Sequence, residues 1–249
     1  MQDQGETFLG KKLHVLDHGF VRLVDYMGSD STVAHYASLG RAHTTTLSEE
    51  ESIKECFRLN QLFPFEQSCL VFQIRLPIYV MGQLVRHRTA KLNSFSARYA
   101  KVEDYFHEPK AEELRMQSSS NKQVGTDLLN TEIAETCSQS IHKLSRWGYQ
   151  EYLSLLDRGV CREQARTILP QNMYTTIFWK IDLRNLFHFL RLRLHTDAQK
   201  EIRLYAEKIG FVLSQLFPLC WKHFHEVYLS RISLSCSELA LLKRLNVSF

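Results

Sequence analysis

Leu70-Val71-Phe72-Gln73-Ile74-Arg75-Leu76-Pro77-Ile78-Tyr79-Val80-Met81-Gly82-Gln83-Leu84-Val85-Arg86-His87-Arg88 changes its hydrophobic period at one proline. Before it, Leu70, Phe72, Ile74 and Leu76 alternate with Val71, Gln73 and Arg75, the period of a half-buried strand. Pro77 suits the first turn of a helix. After it, Ile78, Met81, Leu84 and Val85 form an apolar stripe, and Gln83, Arg86 and His87 sit three and four residues apart on another face. A strand therefore feeds a helix whose C-terminus gathers polar groups.

Working outward from this unit, Lys12 to Tyr26 reads as two short strands joined at Asp17-His18-Gly19, with a loop from Gly28. Ser48 followed by three glutamates starts a helix that runs to about Leu62, with Ile53, Cys56 and Phe57 apolar. Downstream, residues 107–125 carry Pro109 and a Ser-rich run and read as an exposed loop. The longest helix is expected from about Thr126 to Asp157, where Leu129, Ile133, Cys137, Ile141, Leu144, Gly148, Tyr152 and Leu155 keep helical spacing. A short helix, Arg162 to Leu169, stops near Pro170, and Tyr174 to Ile181 reads as a strand. From Leu183 to Arg193 the leucines Leu183, Leu186 and Leu190 make one stripe and Arg184, His188 and Arg191 another. Arg193 stands in register with the leucines. An unpaired buried charge costs several kcal/mol by rough estimate, so it needs an anionic or hydrogen-bonding partner. Thr196-Asp197-Ala198-Gln199 fits a capping box before a final long helix that reaches Leu216.

The 249 residues are 44% hydrophobic, enough for a substantial core, and are expected to form a single domain with residues 1–12 as a disordered tail. Ten glycines and five prolines imply much helix, and no G-x-G-x-x-G occurs. The net charge of +4 is too mild to argue for nucleic acid by itself, although Arg86 to Lys101 is basic and interleaved with Phe95 and Tyr99. With no recognised binding module present, no nucleic-acid partner is expected. Six cysteines lie in no C-x-x-C pair and no zinc spacing, so free thiols and no metal are expected. No apolar run approaches the ~20 residues of a bilayer span, and the chain is expected to be soluble, cytoplasmic and without a membrane partner.

Arg86, His87, Arg88, Ser96 and Arg98 fall within thirteen positions and could surround one dianion, since guanidinium forks bind phosphate bidentately. For Arg86-His87-Arg88 alone, a solvated basic helix end is the simpler reading. The whole pattern alters it. R-H-R-x7-S, extended by Ser96-Ala97-Arg98-Tyr99, resembles the signature of flavin-dependent thymidylate synthases. Pro64-Phe65-Glu66 and the run Gly159 to Arg166 also resemble that family, as do Leu169-Pro170, Asp182-Leu183-Arg184, His188-Phe189-Leu190 and Leu192-Arg193, so that the likeness covers most of residues 13–210.

The resemblance implies reductive methylation of dUMP to dTMP. Methylenetetrahydrofolate would give the carbon, and FAD reduced by NADPH the hydride, with no enzyme nucleophile. It implies that Gln83, Arg86, Ser94, Ser96, Ala97, Arg98, Arg166 and Arg193 contact the nucleotide, Arg193 helping to ionise the pyrimidine as the catalytic residue. Arg86, His87, Arg88, Asp182, Arg184 and His188 would contact FAD. The implied fold is α/β, a twisted sheet flanked by long helices, assembled as a homotetramer with active sites at subunit interfaces. Departures cluster on the flavin and folate side. Gln61-Leu62-Phe63 stands for His-Glu-Thr, Ser94 for a glutamate, Asp197 for a histidine, Asp182 for a common asparagine, and Ala37-Ser38-Leu39-Gly40 for Ala-Arg-Val-Ser. A noncatalytic or altered-substrate homologue, binding UMP for example, is the alternative reading.

Overall fold

The computed structural model describes residues 8–39, 47–122, 124–231 and 235–244; Gly40 and residues 1–7 of the expected tail lie outside them. In chain order the elements are β1 (Lys12–Val15), β2 (Gly19–Met27), α1 (Asp30–Ser38), α2 (Glu49–Arg58), β3 (Cys69–Pro77), α3 (Ile78–Leu84) and β4 (Lys91–Ser94). There follow β5 (Arg115–Gln117), β6 (Gly125–Leu128), α4 (Thr131–Asp157), α5 (Arg162–Ala165), β7 (Tyr174–Asp182), α6 (Leu183–Arg193), α7 (Lys200–Leu216), α8 (Pro218–Phe224) and α9 (Cys236–Arg244).

The strands β1-β2-β3-β7-β4 form one sheet with every neighbour antiparallel. Residues opposed across antiparallel strands point to the same face. The register sets Leu23, Phe72 and Trp179 side by side, and Val21, Ile74 and Ile177 beside them, all buried. The alternation read in β3 is thus the core face of the sheet. Against it pack α6 and α7, whose Leu183, Leu186, Leu190, Ile202, Ile209 and Leu213 are fully buried. This is the expected α/β architecture, a twisted sheet flanked by long helices.

The helix α4, 27 residues long, stands over a second, smaller core of Val102, Phe106, Tyr149, Tyr152, Ala165 and Met173. No helix among the described residues is long and apolar enough to cross a membrane. Residues 8–12 are tied down, since Leu9 bridges to Leu23 and Phe8 packs edge-on to Phe211.

Several local expectations are corrected. The segment after Gly28 is the helix α1, capped by a reciprocal Ser29–Thr32 box. The expected loop 107–125 contains a 3-10 turn, β5 and the first residue of β6, and the rest of β6 delays α4 to Thr131, where Asn130 caps it. In α3 the buried residues are Val80 and Leu84, whereas Ile78 and Val85 are exposed. No Thr196 capping box forms. The Asp197 N–H donates to His195 Nδ1, and α7 starts at Lys200. β4, α8, a π-helical turn at His225–Leu229 and α9 had not been expected.

Candidate active site

α3 ends at Leu84, so Arg86-His87-Arg88 lies in the turn that follows, closed by the His87 N–H donating to the Leu84 carbonyl (3.1 Å). That turn sends alternate side chains in opposite directions. Arg86 and Arg88 are exposed, while His87 is 8% exposed and packs edge-on against Phe189 of α6, ring centroids 5.0 Å apart. The exposed His188 is its other aromatic neighbour, at 5.7 Å.

Arg193, in the last turn of α6, reaches back to the same place. Its Nε donates to His87 Nε2 (3.3 Å), Nη1 to Gln83 Oε1 (3.2 Å) and Nη2 to the Gln83 carbonyl (3.1 Å). Among the described residues no carboxylate pairs with it, so the internal salt bridge that could have explained a stray arginine on a leucine face is not formed. Burial depresses the Arg193 pKa, but a guanidinium stays charged. Burial, then the charge of Arg193 and then His188, push the His87 pKa down to about 4. His87 is consequently neutral at physiological pH, with Nε2 as acceptor and the proton on Nδ1.

Other expected nucleotide residues gather on a cavity of about 390 Å³, lined by Ser94, Ala97 and Arg166 together with Arg75, Met81 and Tyr105. Ser94 ends β4, the edge strand that also delivers the turn holding Ser96; the Ser96 Oγ accepts from the Arg98 N–H (3.3 Å). Arg98 pairs with Glu163 at 3.2 Å. Arg166 pairs with neither Glu163 nor Asp157, nor with any other carboxylate among the described residues, and Arg86 and Arg88 likewise pair with none. Arg75 is a cavity residue that the sequence reading passed over. Its guanidinium lies between the rings of Phe20 and Tyr105, 5.5 and 4.9 Å from their centroids. Its position on the polar face of β3 was the available signal.

Expected flavin residues border a separate cavity of about 230 Å³, lined by Leu62, Arg184, Asn185, His188, Arg191 and Tyr228 among others. Arg184 is ion-paired with Glu66 of the Pro-Phe-Glu turn. Arg191 lies over the Tyr228 ring, 5.6 Å from its centroid. Asp182 instead serves as the N-cap of α6, accepting from the Asn185 N–H (2.9 Å) and its Nδ2 (2.7 Å). The structure thus brings Gln83, His87, His188 and Arg193 together, sets Ser94, Ala97 and Arg166 on one wall, and sets Arg184 and His188 on another. The two cavities share no lining residue.

Residues 22–219 match the family described as "Thymidylate synthase complementing protein". A flavin-dependent thymidylate synthase of Wolbachia pipientis is 38% identical over 96% of this chain and 85% of its own length. One from Thermus thermophilus is 41% identical over 93% and 84%. Among solved structures, the UMP/dUMP methylase PolB of Streptomyces cacaoi, bound with 5-Br UMP, superposes with a TM-score of 0.79 at 29% identity, covering 87% of this chain and 98% of that one. The same enzyme bound with 5-Br dUMP gives 0.77 at 28% identity, over 86% and 97%. On sequence and on fold alike, this chain belongs to the flavin-dependent thymidylate synthase family.

Proposed function

We propose that the chain methylates C5 of a uridine nucleotide, dUMP in the first instance, taking the carbon from methylenetetrahydrofolate. FAD reduced by NADPH supplies the hydride that completes the methyl group. The observation that carries this reading is Arg193, a half-buried cation whose three hydrogen bonds all go to neutral atoms. Its charge is left to stabilise the negative charge that develops on the pyrimidine as C5 becomes nucleophilic.

Gln83 can donate its amide N–H₂ to a base carbonyl, and Ser94, Ser96, Ala97, Arg86, Arg98 and Arg166 form the nucleotide side. The Arg98–Glu163 pair is more than half exposed on both partners, so it is weak and can give way to a phosphate bound bidentately. Flavin is assigned to Arg86, His87, Arg88, Asp182, Arg184 and His188. A wall that combines guanidinium groups, imidazole and aromatic rings fits an anionic cofactor with a flat heterocycle. Its cavity in one chain, about 230 Å³, is below the roughly 300–1,000 Å³ of complete ligand sites. We take the single-domain chains, read as cytoplasmic, to form the homotetramer that the family resemblance implies, with neighbouring subunits closing each site.

The test is to reconstitute the purified chain with FAD, bleach the flavin absorbance with NADPH, and supply methylenetetrahydrofolate with dUMP. Methylated nucleotide should form, and Arg193→Ala should lower turnover by about 100-fold or more. Absence of bound flavin or of methyl transfer would sink the reading. Because the PolB structures hold analogues of both nucleotides, UMP is run in parallel. Preference for UMP identifies an altered-substrate enzyme, and nucleotide binding without turnover identifies a noncatalytic homologue.

A further inference from the structure

We propose that His87 and Gln83 are positioning residues for Arg193, holding its guanidinium through neutral acceptors so that an undiminished positive charge and two free N–H groups face the nucleotide. The inference rests on the uridine-nucleotide reading above and refines the place of His87, which the family resemblance sets on the flavin side.

The argument begins with what a guanidinium requires. It has five N–H donors in a rigid plane and no acceptor. Here three are used, one on each nitrogen: Nε to His87 Nε2, Nη1 to Gln83 Oε1 and Nη2 to the Gln83 carbonyl. One N–H therefore remains on each of Nη1 and Nη2 to meet a ligand. Carboxylates are the usual partners of a buried arginine. One placed here would cancel its charge and repel negative charge developing on the pyrimidine.

The histidine has to be neutral, and it has to stay in place. Its ring is held edge-on by Phe189 and by the turn bonded to Leu84, so Nε2 points at Arg193 rather than outward. Arg86 and Arg88 on either side are exposed, which leaves His87 as the inward member of the triplet.

The experiment uses the FAD-loaded enzyme and four readouts: FAD affinity by flavin fluorescence, dUMP and UMP affinity by calorimetry, kcat and KM, and urea unfolding. His87→Leu removes the acceptor and should lower kcat by about 10- to 100-fold, as expected when a catalytic group shifts by about 1 Å. The loss in kcat should persist with FAD held saturating, which separates it from any loss of the flavin contact assigned to His87. His87→Gln, which can accept from Arg193 Nε, should recover most of the loss. In an Arg193→Ala background, His87→Leu should add less than about twofold.

Gln83→Glu separates structure from function. It should make the protein more resistant to urea, because Arg193 gains a counter-ion, while weakening dUMP by about tenfold or more. Loss of FAD in both His87 variants, full additivity with Arg193→Ala, or unchanged nucleotide affinity in Gln83→Glu would each overturn the proposal. If the wild type binds neither nucleotide, the uridine-nucleotide reading fails. Non-additivity of His87→Leu and Arg193→Ala in urea unfolding then still tests the hold on Arg193, and additive effects there overturn it.

Discussion

His87 sits between two arginines in sequence, yet its titration is governed by residues that are distant in sequence. Phe189 removes water from one side, and Arg193 and His188 face it from α6 with actual or potential positive charge, so protonation is disfavoured from each direction. The sign of the pH dependence follows. The ordinary histidine value of 6.5 applies to the unfolded chain and about 4 to the folded one. Above 6.5 both states hold a neutral imidazole and nothing is lost. As pH falls from 6.5 towards 4, the unfolded chain takes up a proton that the folded chain refuses, and stability drops before levelling off. Allowing for solvent screening near the surface, the loss is about 1–2 kcal/mol. Urea midpoints measured at pH 7.5 and pH 5 should show a smaller decline for His87→Gln than for wild type. Equal declines would mean that His87 titrates normally in the folded state.

The capping of α8 joins two elements that lie far apart in the chain. The Asp30 carboxylate, buried in the first turn of α1, accepts from the Leu219 and Cys220 N–H groups at 2.8 and 3.0 Å and so satisfies two donors at the start of α8. Asp30→Ala should destabilise the fold by about 2–4 kcal/mol, and Asp30→Asn by less, because one buried and one part-buried donor lose a charged acceptor. Equilibrium unfolding in urea measures both, and a change below about 0.5 kcal/mol in the alanine variant would refute the cap. The sequence revealed elements to the degree that one face of each is buried. β3 alternates because Leu70, Phe72, Ile74 and Leu76 lie under α-helices, and α6 shows its leucine stripe for the same reason. β4 has all four residues exposed at the sheet edge, so no alternation marks it, and it came to light only through pairing with β7. α1 was hidden because its N-cap signal is Ser29 with Thr32 in place of the usual Glu or Gln. The site shows the same division. The residue types around Arg193 were legible from their pattern, but its pairing with Gln83 of α3 and His87 of the following turn is a tertiary contact that no local period encodes.

At the scale of the molecule, one chain presents two separate walls of expected site residues and an exposed apolar stripe. Ile133, Leu144 and Trp147 of α4 are 55–62% exposed on a single helical stripe, although the same helix buries Tyr149 and Tyr152 on its other side. The wall bearing Arg166 and the wall bearing Arg184 share no residue, and the smaller cavity, about 230 Å³, lies below the roughly 300–1,000 Å³ of complete ligand sites. If neighbouring copies bring these walls together, a working site takes Arg166 from one chain and Arg184 from another. Arg166→Ala and Arg184→Ala proteins, each inactive alone, should then complement one another when unfolded together and refolded at equal concentrations. Random assembly leaves roughly a quarter of the sites with both arginines, so about that fraction of wild-type methylation should return. The same mixture made without refolding controls for contamination and should recover activity only as fast as subunits exchange. Should both arginines serve a site from the same chain, every site in the mixture keeps one defect, activity never exceeds the average of the two variants, and the composite site is refuted even if the enzyme is a tetramer.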